Sequence, residues 1–175
     1  MISDYFQVQL RQGVTLAVPL YSVAEVFALN LGQICPIPGV AAVLLGVTNQ
    51  RGRLLWVLEL ADLLGLPATG EGRRPQDRIT LLVLSAGETD AATGQARIQL
   101  GCGVAALKGI VTLDSRLVQP VVDSMPGLPA HLLSGILEVN QQPIALLNVE
   151  AVLAAIHSFT VPAAAIGAGS SPLPL

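Results

Sequence analysis

The chain has 175 residues, with nine Lys and Arg against twelve Asp and Glu and a net charge of −3; the length suits one compact domain or two closely packed lobes, and a balance without a basic stripe excludes nucleic acid as a partner. Hydrophobic residues are 52% of the total and charged residues only 12%, where about a quarter is usual, so apolar groups either fill a large core or face partners. The two cysteines, Cys35 and Cys102, make neither a disulfide framework nor a short metal-ligand pair, which favours a reducing compartment.

In chain order, Tyr5 to Leu10 alternates like a half-buried strand, and Arg11-Gln12-Gly13 is a hairpin turn. Val14 to Leu20 is a second strand, placed at an edge or ended by Pro19. Val23, Val26 and Phe27 share a face if Val23-Ala24-Glu25-Val26 is a single helical turn. Leu31 to Gly39 is irregular, because Pro36 and Pro38 force extended backbone and Gly39 permits a sharp turn. Val40 to Val47 is apolar but too short for the roughly 20 residues of a membrane span. Two strands follow, Leu44 to Asn49 and Arg53 to Leu60, joined at Gln50-Arg51-Gly52. Alternation groups Leu54, Trp56, Leu58 and Leu60 as the expected core face, and Arg53, Leu55, Val57 and Glu59 opposite. Ala61 to Leu66 continues as a short helix closed by Gly65 and Pro67. Residues 67–77, PATGEGRRPQD, have linker composition and mark the expected boundary between two lobes, with Arg73-Arg74 solvated in it.

Arg78 to Leu84 is nearly all apolar, as a central strand is. Ser85 to Gln95 is a small-residue loop, and Ala96 to Cys102 resumes strand before Gly101 and Gly103 interrupt. Val104, Leu107, Ile110 and Val111 fit a helical turn passing into a strand. Leu132 to Val139 and Ile144 to Val149 flank a polar tip, Asn140-Gln141-Gln142, and a helix runs from Glu150 to Ile156. Residues 161–175, rich in Ala, Gly, Ser and Pro, have the composition of a flexible tail. Gly46 to Leu64 superimposes without a gap on Gly135 to Leu153, an offset of 89 residues. Both copies run strand, polar tip, strand, short helix, and both follow a Pro-Gly turn. Their tips differ: Asn49-Gln50-Arg51-Gly52 stands opposite Glu138-Val139-Asn140-Gln141. Many short strands with Gly and Pro turns argue for small barrels or a sandwich.

Catalytic equipment is scarce. The chain contains no nucleophile elbow, phosphate loop or zincin motif. His131 and His157 have no cysteine or acid at ligand spacing, so no metal site is expected; His157 near a helix end suits a cap. Glu59 and Asp62 straddle a strand-to-helix junction, and Asp114 and Asp123 lie in loops without a partner for acid–base work. Gly101-x-Gly103 lacks the remainder of a dinucleotide fingerprint. No catalytic residue, cofactor or metal is expected.

Ile34 to Leu66 resembles the core motif of CheW-type chemotaxis coupling proteins, through Pro38-Gly39, Gly46, Asn49-x-Arg51-Gly52 and Leu58-Glu59-Leu60. Ala17-Val18-Pro19-Leu20 and Val23-Ala24-Glu25-Val26 match the family's opening, and the resemblance spans about residues 5–156. Trp56 stands where the family more often has proline, Glu59 where it has aspartate, and Asn148 where an acidic residue is common. The family's aspartate near Gly103 is missing. The resemblance implies a mainly β fold of two SH3-like five-stranded β-barrel lobes with short helices, forming a single domain over residues 1–160. It implies a non-enzymatic adaptor that couples the cytoplasmic tip of methyl-accepting chemoreceptors to the regulatory domain of a CheA-type histidine kinase, in chemotaxis-like or motility signalling. Such a protein is cytoplasmic, recruited to receptor arrays and not inserted in the membrane; no basic segment followed by an apolar run opens the chain.

The expected interaction residues are Arg51, Asn49, Gly52, Val47 and Leu55. Arg51 offers a fork-like contact to a partner's carboxylate or carbonyl, or an intramolecular contact locking the lobes together. Asn49 and Gly52 shape the tip. Val47 and Leu55 either add apolar contact beside it or pack in the core. Two alternatives stay open: a divergent CheW-like adaptor for another two-component or motility pathway without kinase coupling, and a small-molecule-binding β-barrel.

Overall fold

A computed structural model describes residues 1–68, 70, 72–87, 98–121 and 127–160. The strands are β1 (Ile2–Gln9), β2 (Thr15–Pro19), β3 (Val23–Asn30), β4 (Leu44–Gln50), β5 (Arg53–Glu59), β6 (Arg78–Ala86), β7 (Ile98–Val104), β8 (Ala106–Asp114), β9 (Leu133–Val139) and β10 (Gln142–Leu147). Two α-helices follow β5 and β10: α1 (Leu60–Leu63) and α2 (Val149–Thr160). Asp123, most of the small-residue loop before β7, the side chain of His157 and the 161–175 tail lie outside the described residues.

The strands form two five-stranded sheets, ordered β8-β1-β2-β10-β9 and β3-β6-β7-β5-β4. Each contains one parallel pair, β2 with β10 and β5 with β7, among antiparallel neighbours. Each also curls until the chain leaving one edge meets the other edge. After β3, Cys35 exchanges both backbone hydrogen bonds with Val47 of β4, at 2.7 and 2.9 Å. After β8, Gln119 does the same with Ile136 of β9, at 2.8 and 2.9 Å. This closure protects the sheet edges and makes the two SH3-like barrel lobes that the family resemblance implied, in place of the sandwich that the residues alone left open.

The repeat at offset 89 is present in register. Gly46 pairs with Val57 across the first hairpin, and Gly135 with Leu146 across the second. Both glycines sit where the barrel closes. A Cβ on Gly46 would lie 2.1 Å from the Cys35 carbonyl oxygen, and one on Gly135 2.2 Å from Val118 Cγ1. No side chain fits at either point, which is why glycine interrupts two otherwise apolar strands.

The expected lobe boundary at residues 67–77 is corrected. That connection joins α1 to β6, and both β5 before it and β6 after it belong to the second sheet. It separates the two sequence repeats but not the two barrels, because the repeats interleave. The first repeat gives its hairpin β1–β2 to the sheet holding β8, β9 and β10, and the second gives β6–β7 to the sheet holding β3, β4 and β5. The chain crosses between barrels at Leu20–Ser22 and at Ala105.

Two expected helical turns are strands. Val23 to Phe27 lies in β3, paired with β6 from Val23 opposite Leu84 to Asn30 opposite Arg78. Leu107, Ile110 and Val111 lie in β8, paired with β1. Branched and aromatic side chains at these positions suit a pleated surface once a neighbouring strand supplies the backbone partners.

Three cores absorb the apolar excess. Ala17, Leu113, Leu137, Ile144 and Leu146 fill one barrel, and Leu29, Ile34, Val57, Ile79 and Leu81 fill the other. The largest lies between the barrels, where Val8, Leu16 and Leu147 of the first sheet meet Leu58, Leu82 and Leu100 of the second. Helix α2 adds Val152, Leu153 and Ile156 to it. An interface this apolar holds two lobes as one body. It also corrects the face assignment of β5. Trp56, Leu58 and Leu60 do pack into the shared core, but Leu55 and Val57 on the other face are buried too, while Leu54 is 77% exposed. An interior strand of a barrel packed on a second barrel has both faces covered.

Candidate functional site

The β4–β5 hairpin closes on a two-residue turn in which both residues are left-handed, Arg51 at φ 51° and Gly52 at φ 82°. That is the turn whose twist matches a hairpin. The Asn49 Oδ1 atom accepts the Gly52 backbone N–H at 2.8 Å and stabilises it. Asn49 and Gly52 are therefore what give the tip its shape. Arginine is an unusual left-handed residue, so the turn chemistry alone does not account for it.

The Arg51 guanidinium reaches the other edge of its own sheet. Its Nη2 lies 3.0 Å from Oε1 of Glu25 on β3, and Gln50 Nε2 donates to the same oxygen at 3.2 Å. This contact bridges β4 and β3 at one end of the second barrel and does not join the two lobes. The side chain is still 81% exposed, so the pair is solvent-screened and worth no more than about 1 kcal/mol. Glu25 holds the guanidinium in place and leaves most of its donors outward.

Val47 is half-buried, and Leu55 is only 5% exposed. Leu55 is nearly buried and, with Val83, forms part of the floor of the hollow beside the tip. The exposed apolar groups are instead Leu54 and, on the adjacent parallel strand β7, Ile98. Glu25, Gln50, Arg51, Arg53, Leu54 and Gln99 line a shallow hollow of about 360 Å³ there. A strand reading of Val23–Phe27 would have placed Glu25 in the sheet, whereas the alternation along β5 carried no signal that Leu54 is exposed. The second tip has the same turn, with Asn140 at φ 51° and Gln141 at φ 63°, but no guanidinium.

A second hollow, about 430 Å³, opens between the sheets. Tyr5, Pro19, Tyr21, Ser85, Asn148 and Glu150 are among the residues that line it. Burial, with Tyr21 nearby, raises the Tyr5 phenol pKa above its ordinary value. Asn148 Oδ1 accepts the Ala151 N–H at 3.1 Å and caps α2. An amide thus supplies the acceptor that an acidic residue would supply at this position.

The carboxylates considered for catalysis have other work. Glu59 and Asp62 are both paired with Arg11 and Arg73, which also corrects the reading of Arg73 as a solvated loop residue. Among the described residues no three His, Cys, Asp or Glu side chains gather as a metal site. No described helix is long and apolar enough to cross a membrane.

The protein-family model for the CheW-like domain matches residues 4–157. A probable chemotaxis protein CheW of Rhizobium etli is 27% identical over 121 residues, covering 69% of this chain and 70% of that protein. The crystal structure of a scaffolding protein, TtCheW from Thermoanaerobacter tengcongensis, superimposes with a TM-score of 0.65 at 18% identity, covering 85% of each chain. That likeness is one of fold.

Proposed function

The chain belongs to the CheW-like domain family, and from that premise we propose that it is an adaptor coupling chemoreceptors to a CheA-type histidine kinase by assembly, without chemistry of its own. The observation that supports this most is the Arg51 tip: an exposed guanidinium, fixed by Glu25 and flanked by exposed Leu54, at the end of a rigid double barrel. A fixed fork beside an apolar anchor suits recognition of a folded protein surface.

In this reading the regulatory domain of the kinase meets the second barrel around residues 44–59, and the receptor's cytoplasmic tip meets the region between the sheets. Arg51 contributes donors, Asn49 and Gly52 set the turn, and Val47 and Leu55 pack beneath, with Leu54 the apolar contact. The protein works in the cytoplasm at membrane-associated receptor arrays. Arg51→Ala tests the assignment. Weaker binding of the kinase regulatory domain or the receptor, or weaker array assembly, with an unchanged circular dichroism spectrum supports it, and loss of the fold moves Arg51 to a structural role.

The departures at Trp56 and near Gly103 favour a second reading, a divergent adaptor for another two-component or motility pathway. Co-purification with a histidine kinase separates the two. A small-molecule barrel is the weakest alternative, because both hollows are open to solvent and lined largely by polar and charged side chains, unlike an enclosed and mainly apolar ligand site.

A further inference from the structure

Away from the Arg51 tip, four charged side chains converge where the two barrels meet. Arg11 belongs to the turn between β1 and β2, in the first sheet. Its guanidinium crosses to the second. Nη2 lies 2.5 Å from Asp62 Oδ1 and donates to the Leu66 carbonyl at 2.9 Å, and Nη1 lies 3.6 Å from Glu59 Oε1. Arg73 closes over the same carboxylates, pairing with Glu59 Oε2 and lying 3.4 Å from Asp62 Oδ2. Side-chain exposure is 13% at Arg11 and 36% at Arg73, so Arg11 is the inner member and Arg73 the outer.

Each carboxylate is shared between two guanidiniums, and the four charges sum to zero. Burial, then repulsion from Arg11, lowers the Arg73 pKa; the carboxylates are what hold two like charges together. Beside the cluster, Leu10 from the first sheet and Leu60, Ala61 and Leu64 around α1 belong to the core shared by both barrels. Arg73 lies on the connection between the two sequence repeats, outside any strand or helix. It can leave without breaking a sheet ladder, whereas Arg11 is fixed in a tight turn.

We propose that Arg11, Glu59, Asp62 and Arg73 form an ionic clasp across the seam between the barrels, with Arg73 as its releasable outer member, and that the clasp governs how readily the seam opens on this side. When Arg73 leaves, two carboxylates face one guanidinium and the seam carries net negative charge. Salt weakens partly exposed ion pairs of this kind, and added salt acts on the same equilibrium.

Hydrogen exchange on the full chain tests this. The amides of Leu64, Gly65 and Leu66, which bond back to Leu60, Asp62 and Ala61, report the α1 side of the seam, and those of Leu10 and Val14 report the other. The expected result is exchange at these amides faster by roughly tenfold in Arg73→Ala, by local opening, with the central strands of both barrels unchanged. Raising NaCl from about 0.05 to about 1 M reproduces the effect in the unaltered chain and adds little in the variant. Arg74→Ala, one residue away, leaves the rates unchanged. Rates unaltered by Arg73→Ala overturn the proposal, as does acceleration spread evenly over every strand. Arg73→Ala leaves the inner Arg11 pair in place, so the test does not depend on a variant that fails to fold.

Discussion

Arg51 shows how a single residue is both held and available. Its contact with Glu25 spans 3.0 Å, yet most of the side chain faces solvent. Removing it should change stability by less than about 1 kcal/mol, as for other exposed ion pairs. We expect Arg51→Ala to unfold at nearly the same denaturant midpoint as the parent while losing partner affinity; a large drop in the midpoint would contradict this. A second residue-scale expectation concerns Asp114. Its side-chain and backbone hydrogen bonds from Arg116, with a lesser contribution from the Met1 ammonium, hold its carboxyl well below the usual carboxylate range. A folded-state value below the unfolded one stabilises the fold at pH above about 4, and that contribution is lost as pH falls through the folded value. An NMR titration should find the Asp114 midpoint depressed in the parent and raised toward the ordinary value in Arg116→Ala, which keeps the backbone N–H and the Met1 ammonium but loses the guanidinium. At this scale the turn was legible: Asn49, Arg51 and Gly52 stand at the tip where the sequence placed them. Leu54 and Leu55 were not: alternation tells which side chains share a face, but neither that the Leu55 face is also covered nor that the core face ends before Leu54 beside the tip.

Among the elements, the two hairpins β4–β5 and β9–β10 were readable from the 89-residue offset, since equal register produces equal spacing of Gly and apolar residues. The assignment of hairpins to barrels was not readable. It depends on two short crossings, Leu20–Ser22 and Ala105, whose composition does not differ from that of an ordinary turn. Val23, Val26 and Phe27 fit the helical spacing and break strict alternation, but β3 carries apolar residues on both faces, and only pairing with β6 shows it to be a strand. The closure points allow a direct test. Gly46→Ala drives a Cβ into the Cys35 carbonyl and strains a φ of +139°, so it should cost about 3 kcal/mol or more. Gly135→Ala meets the Val118 methyl at 2.2 Å and the Gln119 carbonyl oxygen at 2.9 Å but has no positive φ to strain, and should cost less, about 1–3 kcal/mol. Chemical denaturation of both variants checks the order; equal and small losses would mean the closures contribute little.

For the whole molecule, 52% hydrophobic residues in a chain with 12% charged left core and partner surface as equal explanations. The interface between the barrels accounts for much of it and makes the pair a single body. Cys102 lies fully buried in that shared core, and burial pushes its thiol pKa up, whereas Cys35 is exposed. A thiol reagent should therefore modify Cys35 at once and Cys102 only at the rate of opening. Because the folded-state value of Cys102 is raised, its contribution to stability is complete below the unfolded thiol value and declines as pH rises above about 8.5. Rapid labelling of both cysteines would show that the shared core is not closed.

A rigid double barrel with one arginine-bearing tip is an adaptor only if something binds it. Calorimetric titration against the regulatory domain of the CheA-type kinase from the same organism tests that most directly. The account predicts saturable one-to-one binding with Kd of about 1 μM or tighter, near −8 kcal/mol. No binding at about 100 μM, weaker than about −5.5 kcal/mol, with a folded sample would contradict it.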